Sequence, residues 1–313
     1  MGFVKKQLTH TMNLLYVIWV SFFGKKVKTF IPVKNHIIDT LNNQNEIYIP
    51  KIIWMFWNDK ELPELVFYCI ENIKKLHPDF EVNILNCNNV GNFIDINFFE
   101  LTKKMPLPNI SDLIRLKLLS RYGGIWMDSS IILQQPLDEF FLLSGYDLIG
   151  YYNVFQTING NVPVIESWLL AAPKNSKFIL TWLEIFQSVE ELGSHLFFEE
   201  FKKDPDFMEF SSGLTNPEYL IVYLAARKAY KKLYKSLSLK FYPCDDSAFS
   251  VSIYSNWRTK DRLVNFYIKD SFINSPIHKL TSGEREYYGF LKKYKLINPK
   301  SVIGSFLEMM KND

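Results

Sequence analysis

The residues with the clearest capacity for chemistry are a carboxylate and a guanidinium three positions apart, Asp112 and Arg115. On a helix, a spacing of three puts both side chains on one side, where they can act on the same ligand. A further acidic residue, Asp128, follows in an apolar segment, where a carboxylate is costly without a partner. We therefore expect Asp128 at the C-terminal end of a strand, the edge where open α/β sheets bind ligands, in contact with a cation.

The residues around Asp128 alternate as in a strand. Trp126, Asp128 and Ser130 would share one face, while Ile125 and Met127 would point the opposite way into apolar packing. A carboxylate at a strand end beside an arginine could hold Mg²⁺ or Mn²⁺ with phosphate oxygens, and such a cation stabilises a departing diphosphate. The alternative is purely structural: a buried ion pair on the helix, with Asp128 capping a turn.

The elements that must position these residues are predicted from hydrophobic patterning. Residues 49–57 form a short apolar run rich in branched and aromatic side chains, typical of a buried strand. Residues 63–76 have apolar positions at helical spacing with a proline in the first turn, and residues 81–85 form the next strand. This order predicts a right-handed βαβ unit with parallel strands.

A second helix is predicted to begin at Ser111, a good N-cap, and to end at Tyr122, because Gly123 and Gly124 supply the backbone freedom that ends it. Residues 125–133 are predicted as one strand. We expect one mixed α/β domain at residues 46–313, preceded by a basic and apolar helical extension at residues 1–45. Further strands are predicted at 147–152, 164–172 and 239–242, and helices near 175–190 and 217–235.

Bulk composition excludes several classes of protein. The 313 residues are 48% hydrophobic, which is enough to bury a large core and excludes a disordered chain. The 36 basic and 33 acidic residues are too balanced for a nucleic-acid partner. Cys69, Cys87 and Cys244 lack the number and spacing of a disulfide framework or a zinc site, which favours a reducing, cytoplasmic compartment.

An apolar stretch at residues 14–23 raises the question of a membrane. It is about half as long as a membrane-spanning helix, which needs roughly 20 apolar residues, and no signal-peptide cleavage site follows it. Two alternatives remain: a helix packed on the domain, or peripheral contact of residues 1–30 with the inner face of the cell membrane, with lysines facing anionic lipid. The flanking lysines are Lys5, Lys6, Lys25, Lys26 and Lys28.

The central block has the pattern Ser-Asp-x-x-Arg at residues 111–115, then Gly-Gly-x-Trp-x-Asp-x-Ser at residues 123–130. This pattern resembles that of glycosyltransferases with the DXD sugar-binding motif, including capsular polysaccharide synthesis proteins. Residues 49–57, Ile-Pro-Lys-Ile-Ile-Trp-Met-Phe-Trp, resemble the opening strand of that group. Residues 275–281, Ser-Pro-Ile-His-Lys-Leu-Thr, are similar to the closing motif of its capsular subgroup, so the resemblance covers roughly residues 49–281.

The resemblance implies a GT-A fold, a Rossmann-like domain whose mixed sheet is flanked by helices and binds a nucleotide-sugar. It implies that Asp112 holds sugar hydroxyls and that Arg115 holds the sugar or phosphate of the donor. Trp126 would line the donor pocket, and Asp128 would bind the metal or the ribose. In the fullest form of the motif a second carboxylate stands at the position of Ser130, whose hydroxyl can still ligate a metal or a metal-bound water.

The flanking motifs supply the remaining candidates. Trp54 and Trp57 could stack on the nucleobase, a contact of about 1–3 kcal/mol per base in single-stranded nucleic-acid binders, or they could be core residues. On a closing C-terminal loop, His278 could be a metal ligand and Lys279 a charge clamp on the diphosphate, or both could be surface residues.

These observations predict a metal-dependent hexosyltransferase with Mn²⁺ or Mg²⁺ as cofactor and with Asp128, Asp112 and Arg115 as catalytic residues. It would move a hexose or N-acetylhexosamine from a UDP-sugar to a glycan or lipid-linked acceptor in bacterial capsular or surface polysaccharide synthesis. The resemblance implies retention of anomeric configuration. The alternative is a catalytically silent sugar-nucleotide-binding or scaffold subunit, suggested by Ser130. A nucleotidyltransferase is disfavoured, because no glycine-rich, lysine-containing phosphate loop follows the first strand.

Overall fold

The computed structural model describes residues 2–24, 36–41, 47–141, 143–158, 162–271 and 274–311, with the side chains of residues 2–6 left out. Within these ranges, seven strands form one mixed sheet and two more form a separate ribbon. The sheet contains β1 (Ile38–Asp39), β2 (Ile52–Phe56), β3 (Glu81–Leu85), β4 (Gly124–Met127), β6 (Leu148–Asn153), β7 (Val164–Ala172) and β8 (Leu239–Pro243), and the ribbon contains β5 (Ile131–Leu133) and β9 (Ile277–Lys279).

The strand order in the sheet is β1-β8-β6-β7-β4-β2-β3. β2 is parallel to both β3 and β4, whereas β7 is antiparallel to both β4 and β6. The predicted βαβ unit is confirmed, because β2 and β3 pair in parallel across the helix that connects them. β2 and β4 therefore present their C-terminal ends at the same edge of the sheet.

Helices lie on both sides of this sheet, which confirms the predicted mixed α/β class. The long helices near the sheet agree with the predicted positions to within a few residues. In chain order the α-helices of the described ranges are α1 (Gly2–Phe23), α2 (Glu64–Leu76), α3 (Phe98–Thr102), α4 (Leu107–Tyr122), α5 (Lys177–Phe186), α6 (Val189–Phe201), α7 (Phe207–Ser211), α8 (Ile221–Leu233), α9 (Ser250–Tyr254), α10 (Thr259–Leu263), α11 (Ser282–Arg285), α12 (Tyr288–Lys293) and α13 (Val302–Lys311).

The start of α4 differs from the prediction. Ser111 is not the N-cap, because the helix begins four residues earlier, after Pro106, with a proline in its first turn. Proline has a backbone φ suited to the first turn of a helix and lacks the N–H that would be left unpaired there. The predicted end of the helix at Tyr122 is correct. Gly123 follows with a φ of 69°, and its backbone N–H donates to the carbonyl of Leu119.

The segment at residues 125–133, predicted as one strand, forms two strands in the structure. The chain leaves the sheet after Met127, turns through Asp128, Ser129 and Ser130, and enters the ribbon as β5. Pairing of β5 with β9 aligns Ile131 with Lys279. Asp128 therefore lies at the C-terminal end of β4, as predicted.

Two apolar cores flank the sheet, as the alternation of strand side chains requires. Trp54 and Trp126 lie on the face covered by α4, α5 and α8. Ile125 and Met127 lie on the opposite face, which α2 and β5 cover. The central strands β4, β6 and β7 are thus buried on both sides.

α1 packs on the C-terminal part of the domain. Val17 and Val20 are buried in a third apolar cluster that also contains Phe306 from α13. Sheet pairing extends to the N-terminal region, because Ile38 in β1 pairs with Phe241 in β8. None of the described helices combines the length and the apolar composition that crossing a bilayer requires. Lys25, Lys26 and Lys28 and the side chains of Lys5 and Lys6 lie outside the described residues.

Candidate active site

A cavity of about 850 Å³ opens at the C-terminal ends of β2 and β4. Its walls include the segment after β2, the first half of α4, the turn after β4, part of β7, the start of α8 and the segment that follows β9. The volume lies within the usual range for ligand pockets, roughly 300–1,000 Å³. The charged and hydroxyl side chains that line it include Asp112, Arg115, Asp128, Ser130, Lys279 and Arg285.

Asp112 and Arg115 form an ion pair on one side of α4, as their spacing predicts. The same carboxylate oxygen, Oδ1 of Asp112, accepts a hydrogen bond from the Ser167 hydroxyl at 3.3 Å. Burial raises the pKa of Asp112 above its usual value, and the charge of Asp128 adds to that rise. Among the described residues Oδ2 of Asp112 has no hydrogen-bond partner, so it can accept one from a ligand hydroxyl.

Asp128 lies between two cations. Its Oδ1 accepts hydrogen bonds from Arg115 at 3.2 Å and from the Trp126 indole at 3.0 Å. Its Oδ2 lies 2.8 Å from Nζ of Lys279. Burial would raise the pKa of Asp128, but the charges of Lys279 and Arg115 outweigh it and hold the pKa below its usual value. Asp128 is therefore an ionised carboxylate, and the groups predicted at 112, 115, 128 and 279 lie together.

Ser130 also contacts Lys279. Nζ of Lys279 donates to the Ser130 hydroxyl at 3.0 Å, and that hydroxyl donates to the carbonyl of Leu280 at 3.1 Å. The backbone N–H of Leu280 donates in turn to the carbonyl of Ser130. The ammonium group is thus held between Asp128 and Ser130 by the pairing of two chain segments.

Trp57 and Arg285 form another part of the cavity wall. The guanidinium of Arg285 lies 4.8 Å from the centre of the Trp57 ring, within the range of a cation–π contact. The Trp57 indole donates to Asp59 at 3.0 Å. Trp57 lines the cavity, where its ring can contact a flat ligand group.

The other two predicted tryptophans lie behind the cavity. Trp54 is 2% exposed, packs against Phe93 and Tyr122, and donates its indole N–H to the carbonyl of Gly123 at 3.0 Å. Trp126 is equally buried, and its ring lies 4.7 Å from the guanidinium carbon of Arg115. The structure thus places both rings in the core, where Trp126 supports Arg115 and Asp128.

His278 does not join the site. It precedes Lys279 in β9, and neighbouring strand residues point to opposite faces, so only Lys279 turns towards Asp128. The His278 ring is buried near Phe266, and burial lowers its pKa to about 4. Both residues also lie in a strand rather than on the loop that the sequence predicts.

The predicted Mn²⁺ or Mg²⁺ site at Asp128, Ser130 and His278 therefore does not fit the side chains present. His278 points away, and both oxygens of Asp128 already accept hydrogen bonds from protein donors. Within the described ranges, no three His, Cys, Asp or Glu side chains are grouped so that they could hold a metal ion.

Sequence patterning did not identify Glu166 and Arg285, which also line the cavity. Glu166 accepts hydrogen bonds from the Tyr223 hydroxyl at 2.6 Å and from Asn153 at 3.0 Å, and burial raises its pKa. A signal for Glu166 existed, because it is a single acidic residue in the apolar strand at residues 164–172, as Asp128 is in its own segment. Arg285 has no such signal.

Comparison with curated proteins finds fungal relatives. An O-glycosyltransferase, braB, of Annulohypoxylon truncatum is 29% identical over 48% of this chain and 40% of its own length. Inositol phosphoceramide mannosyltransferase 3 of Schizosaccharomyces pombe is 32% identical over 37% of this chain and 36% of its own length. The chain thus spans less than half of the length of these two relatives.

Among solved structures, a galactosyltransferase, LgtC, in complex with donor and acceptor sugar analogues is similar at 11% identity, over 78% of this chain and 94% of its own. The TM-score is 0.38, which is too low to support an argument about this chain. The family comparison is stronger, because the model of the capsular polysaccharide synthesis proteins matches residues 13–189, more than half of the 313 residues and all of the Asp112 to Asp128 block. The chain belongs to the family of capsular polysaccharide synthesis proteins.

Proposed function

We propose that this protein is a glycosyltransferase that moves a hexose or N-acetylhexosamine from a UDP-sugar to a glycan or lipid-linked acceptor. The observation that carries this proposal is that Asp112, Arg115, Asp128 and Lys279 line one cavity at the sheet edge. Carboxylates accept hydrogen bonds from sugar hydroxyls, and the cations attract phosphate oxygens, so the site combines the groups that a nucleotide-sugar requires. Membership of the capsular polysaccharide synthesis family supports the same class of reaction.

Transfer breaks the bond between the anomeric carbon and a diphosphate oxygen and forms a bond from that carbon to the acceptor hydroxyl oxygen, which releases its proton. Negative charge develops on the diphosphate as it leaves. Groups that stabilise this charge in the transition state accelerate the reaction. In the proposed arrangement Lys279 and Arg285 stabilise the leaving diphosphate, while Oδ2 of Asp112 accepts a sugar hydroxyl. Trp57 lies beside Arg285, where its ring can stack on the base or on a sugar face.

We further propose that the acceptor belongs to a bacterial capsule or another surface polysaccharide and that anomeric configuration is retained. The family supports the role in polysaccharide synthesis. One relative is named as a mannosyltransferase of inositol phosphoceramide, which supports a lipid-linked acceptor. Configuration of the product is measured directly by the coupling constant of its anomeric proton, and an inverted product would contradict retention.

Contact with a membrane surface is part of this proposal. One face of α1 packs on the domain through Val17 and Val20, as in the first of the two alternatives for this segment, a helix packed on the domain. Its other face bears an apolar stripe at helical spacing. Lysines at the start of the helix and after it in the sequence would complement anionic lipid. The exposed side chains of this stripe are Leu8, Met12, Leu15, Trp19, Phe22 and Phe23.

The donor is tested by thermal unfolding with a panel of UDP-, GDP-, CDP- and dTDP-sugars. A ligand that binds only the folded state raises the unfolding free energy, by about 2.7 kcal/mol at 100 times its Kd. We expect a UDP-sugar to give the largest increase in Tm and the Asp112→Asn variant to lose it. A panel in which no nucleotide-sugar raises Tm would contradict the proposal.

A second measurement separates the enzyme from a silent sugar-binding subunit. The enzyme should release UDP from the stabilising donor when acceptors are supplied, and slowly by hydrolysis when they are not. Donor binding without UDP release under any of these conditions would favour the silent subunit, which Ser130 in place of a carboxylate suggests.

A further inference from the structure

We propose that this site binds the donor diphosphate through Lys279 and Arg285 and needs no divalent cation. The inference rests on the proposed function, because it concerns how the same cavity binds a nucleotide-sugar. It begins from the position of one ammonium group: Nζ of Lys279 lies 2.8 Å from Asp128 and 3.0 Å from Ser130. These are two of the three positions, with His278, whose side chains were expected to hold a metal.

Charge balance explains why the Lys279 ammonium can occupy the place of a divalent cation. Two carboxylates and a divalent cation sum to zero, and one carboxylate, one serine and one ammonium also sum to zero. With Ser130 in place of the second carboxylate, one negative charge is absent. Arg115 is shared with Asp112, and Lys279 supplies the positive charge that balances Asp128. A metal on Oδ2 of Asp128 would instead share that oxygen with an ammonium, and like charges at about 4 Å repel by about 4 kcal/mol near a protein surface.

Lys279 retains the capacity to bind a ligand. A lysine ammonium has three N–H donors. Among the described residues two of them are taken, by Asp128 and Ser130, which leaves one for a phosphate oxygen. The ammonium is also held in place before a ligand binds, because Ile131 and Lys279 are paired in the β5–β9 ribbon. A preformed position of this kind reduces the entropy that binding must overcome.

Arg285 supplies the second positive charge. Its Nε donates to the carbonyl of Thr281 at 3.2 Å, and its guanidinium lies over Trp57. Among the residues that the structure describes, its two Nη atoms have no hydrogen-bond partner. An arginine with free Nη donors in a cavity is suited to bidentate contact with phosphate oxygens. Lys279 and Arg285 together therefore offer the diphosphate three or more N–H donors.

The experiment measures the Kd of UDP, GDP, CDP and inorganic pyrophosphate by titration calorimetry, in EDTA and in Mn²⁺. We expect at least one nucleoside diphosphate to bind equally well in both. Lys279→Met should weaken it by about 10- to 100-fold, the range for loss of a charge-assisted hydrogen bond. Lys279→Arg should keep most of the affinity. The matched control is Lys51→Met, an exposed lysine next to the opposite end of β2.

A double variant tests the proposal through a gain of nucleotide affinity, which a nonspecific loss of binding could not produce. Ser130→Asp with Lys279→Met restores two carboxylates and removes the ammonium, so its nucleotide affinity should fall in EDTA and recover in Mn²⁺. Circular dichroism and Tm establish that each variant is folded.

Three outcomes distinguish the inference of metal-independent binding from the proposed glycosyltransferase function. Equal affinity in EDTA and Mn²⁺, lost in Lys279→Met, supports the inference. Binding that requires Mn²⁺ in the unmodified protein overturns it and leaves the glycosyltransferase proposal standing. Failure of every nucleotide to bind in either condition contradicts the proposed function and the inference with it.

Discussion

Nζ of Lys279 lies 2.8 Å from Oδ2 of Asp128, although the two residues are far apart in the sequence. Two separate elements create this contact. Asp128 lies where β4 leaves the sheet, and Lys279 ends β9, which pairs with the strand that follows Asp128. The candidate site therefore depends on a two-stranded ribbon outside the main sheet as much as on the sheet itself.

Replacement of Asp128 by asparagine should reduce kcat/KM for sugar transfer by about 10²- to 10³-fold, the cost of losing one strong charge contact in an active site. The charge is lost while the size of the side chain is kept, and Lys279 and Arg115 then lack their shared partner. Steady-state kinetics with the donor found by thermal unfolding measures the effect. Asp79→Asn, which breaks an exposed pair with Lys51, is the control. Near-full activity of Asp128→Asn would show that the site has been wrongly assigned.

Gly124→Ala should destabilise the fold. Gly124 has a φ of 92°, and a Cβ there would meet the carbonyl oxygen of Ile52 in the neighbouring strand β2. Positive φ alone costs an alanine about 1–2 kcal/mol, and the contact adds to it. Urea unfolding measures the change in unfolding free energy. Gly289→Ala is the control, because a Cβ at that position in α12 meets nothing within 4 Å and alanine favours a helix. Equal stability of the two variants would contradict this account.

The features that the sequence predicted correctly are those that depend on residues close together in the chain. The strands at residues 81–85 and 164–172 have the predicted bounds, because alternation and apolar runs are local properties. The position of Asp128 at a strand end followed from the cost of burying a charge without a partner. The pairing of Asp112 with Arg115 followed from helical spacing.

What the sequence did not predict depends on contacts between distant segments. Patterning placed Lys279 on a loop beside His278, but pairing of β9 with β5 makes a strand and turns the two side chains to opposite faces. Similarly, Ser111 has the chemistry of an N-cap, yet the helix begins earlier, at Leu107, with Pro106 in the capping position. Arg285 enters the cavity through α11, and only the tertiary structure brings it to Trp57.

The apolar stripe of α1 should bind anionic membranes. Leu15 and Trp19 are more than half exposed, and replacing both by serine should lower the fraction bound to phosphatidylglycerol vesicles in a sedimentation assay. Binding should also weaken with added salt and in pure phosphatidylcholine, because lysines contribute. Leu196→Ser, at an exposed site on α6, is the control. Equal binding by the double variant and the unmodified protein would exclude this surface as the contact.

His278 should make the stability of the fold sensitive to mild acid. Burial lowers its pKa from 6.5 to about 4 in the folded protein. Between these two values the unfolded chain binds a proton at this imidazole and the folded protein does not. Stability contributed by the neutral ring is therefore complete above pH 6.5 and is lost as the pH falls towards 4. Linkage gives a loss of about 2 kcal/mol by pH 5 and about 3 kcal/mol in full.

The His278→Gln variant removes this titration, so its unfolding free energy should fall less than that of the unmodified protein between pH 7.5 and pH 5. Urea unfolding at each pH measures the difference between the two proteins, which cancels the contribution of the other groups that titrate in that range. His195→Gln is the control, because His195 is exposed and pairs with Glu218 on the surface. If His278→Gln and the unmodified protein lose equal stability on acidification, the imidazole at 278 is accessible to protons in the folded state and is not sealed in the core behind Lys279.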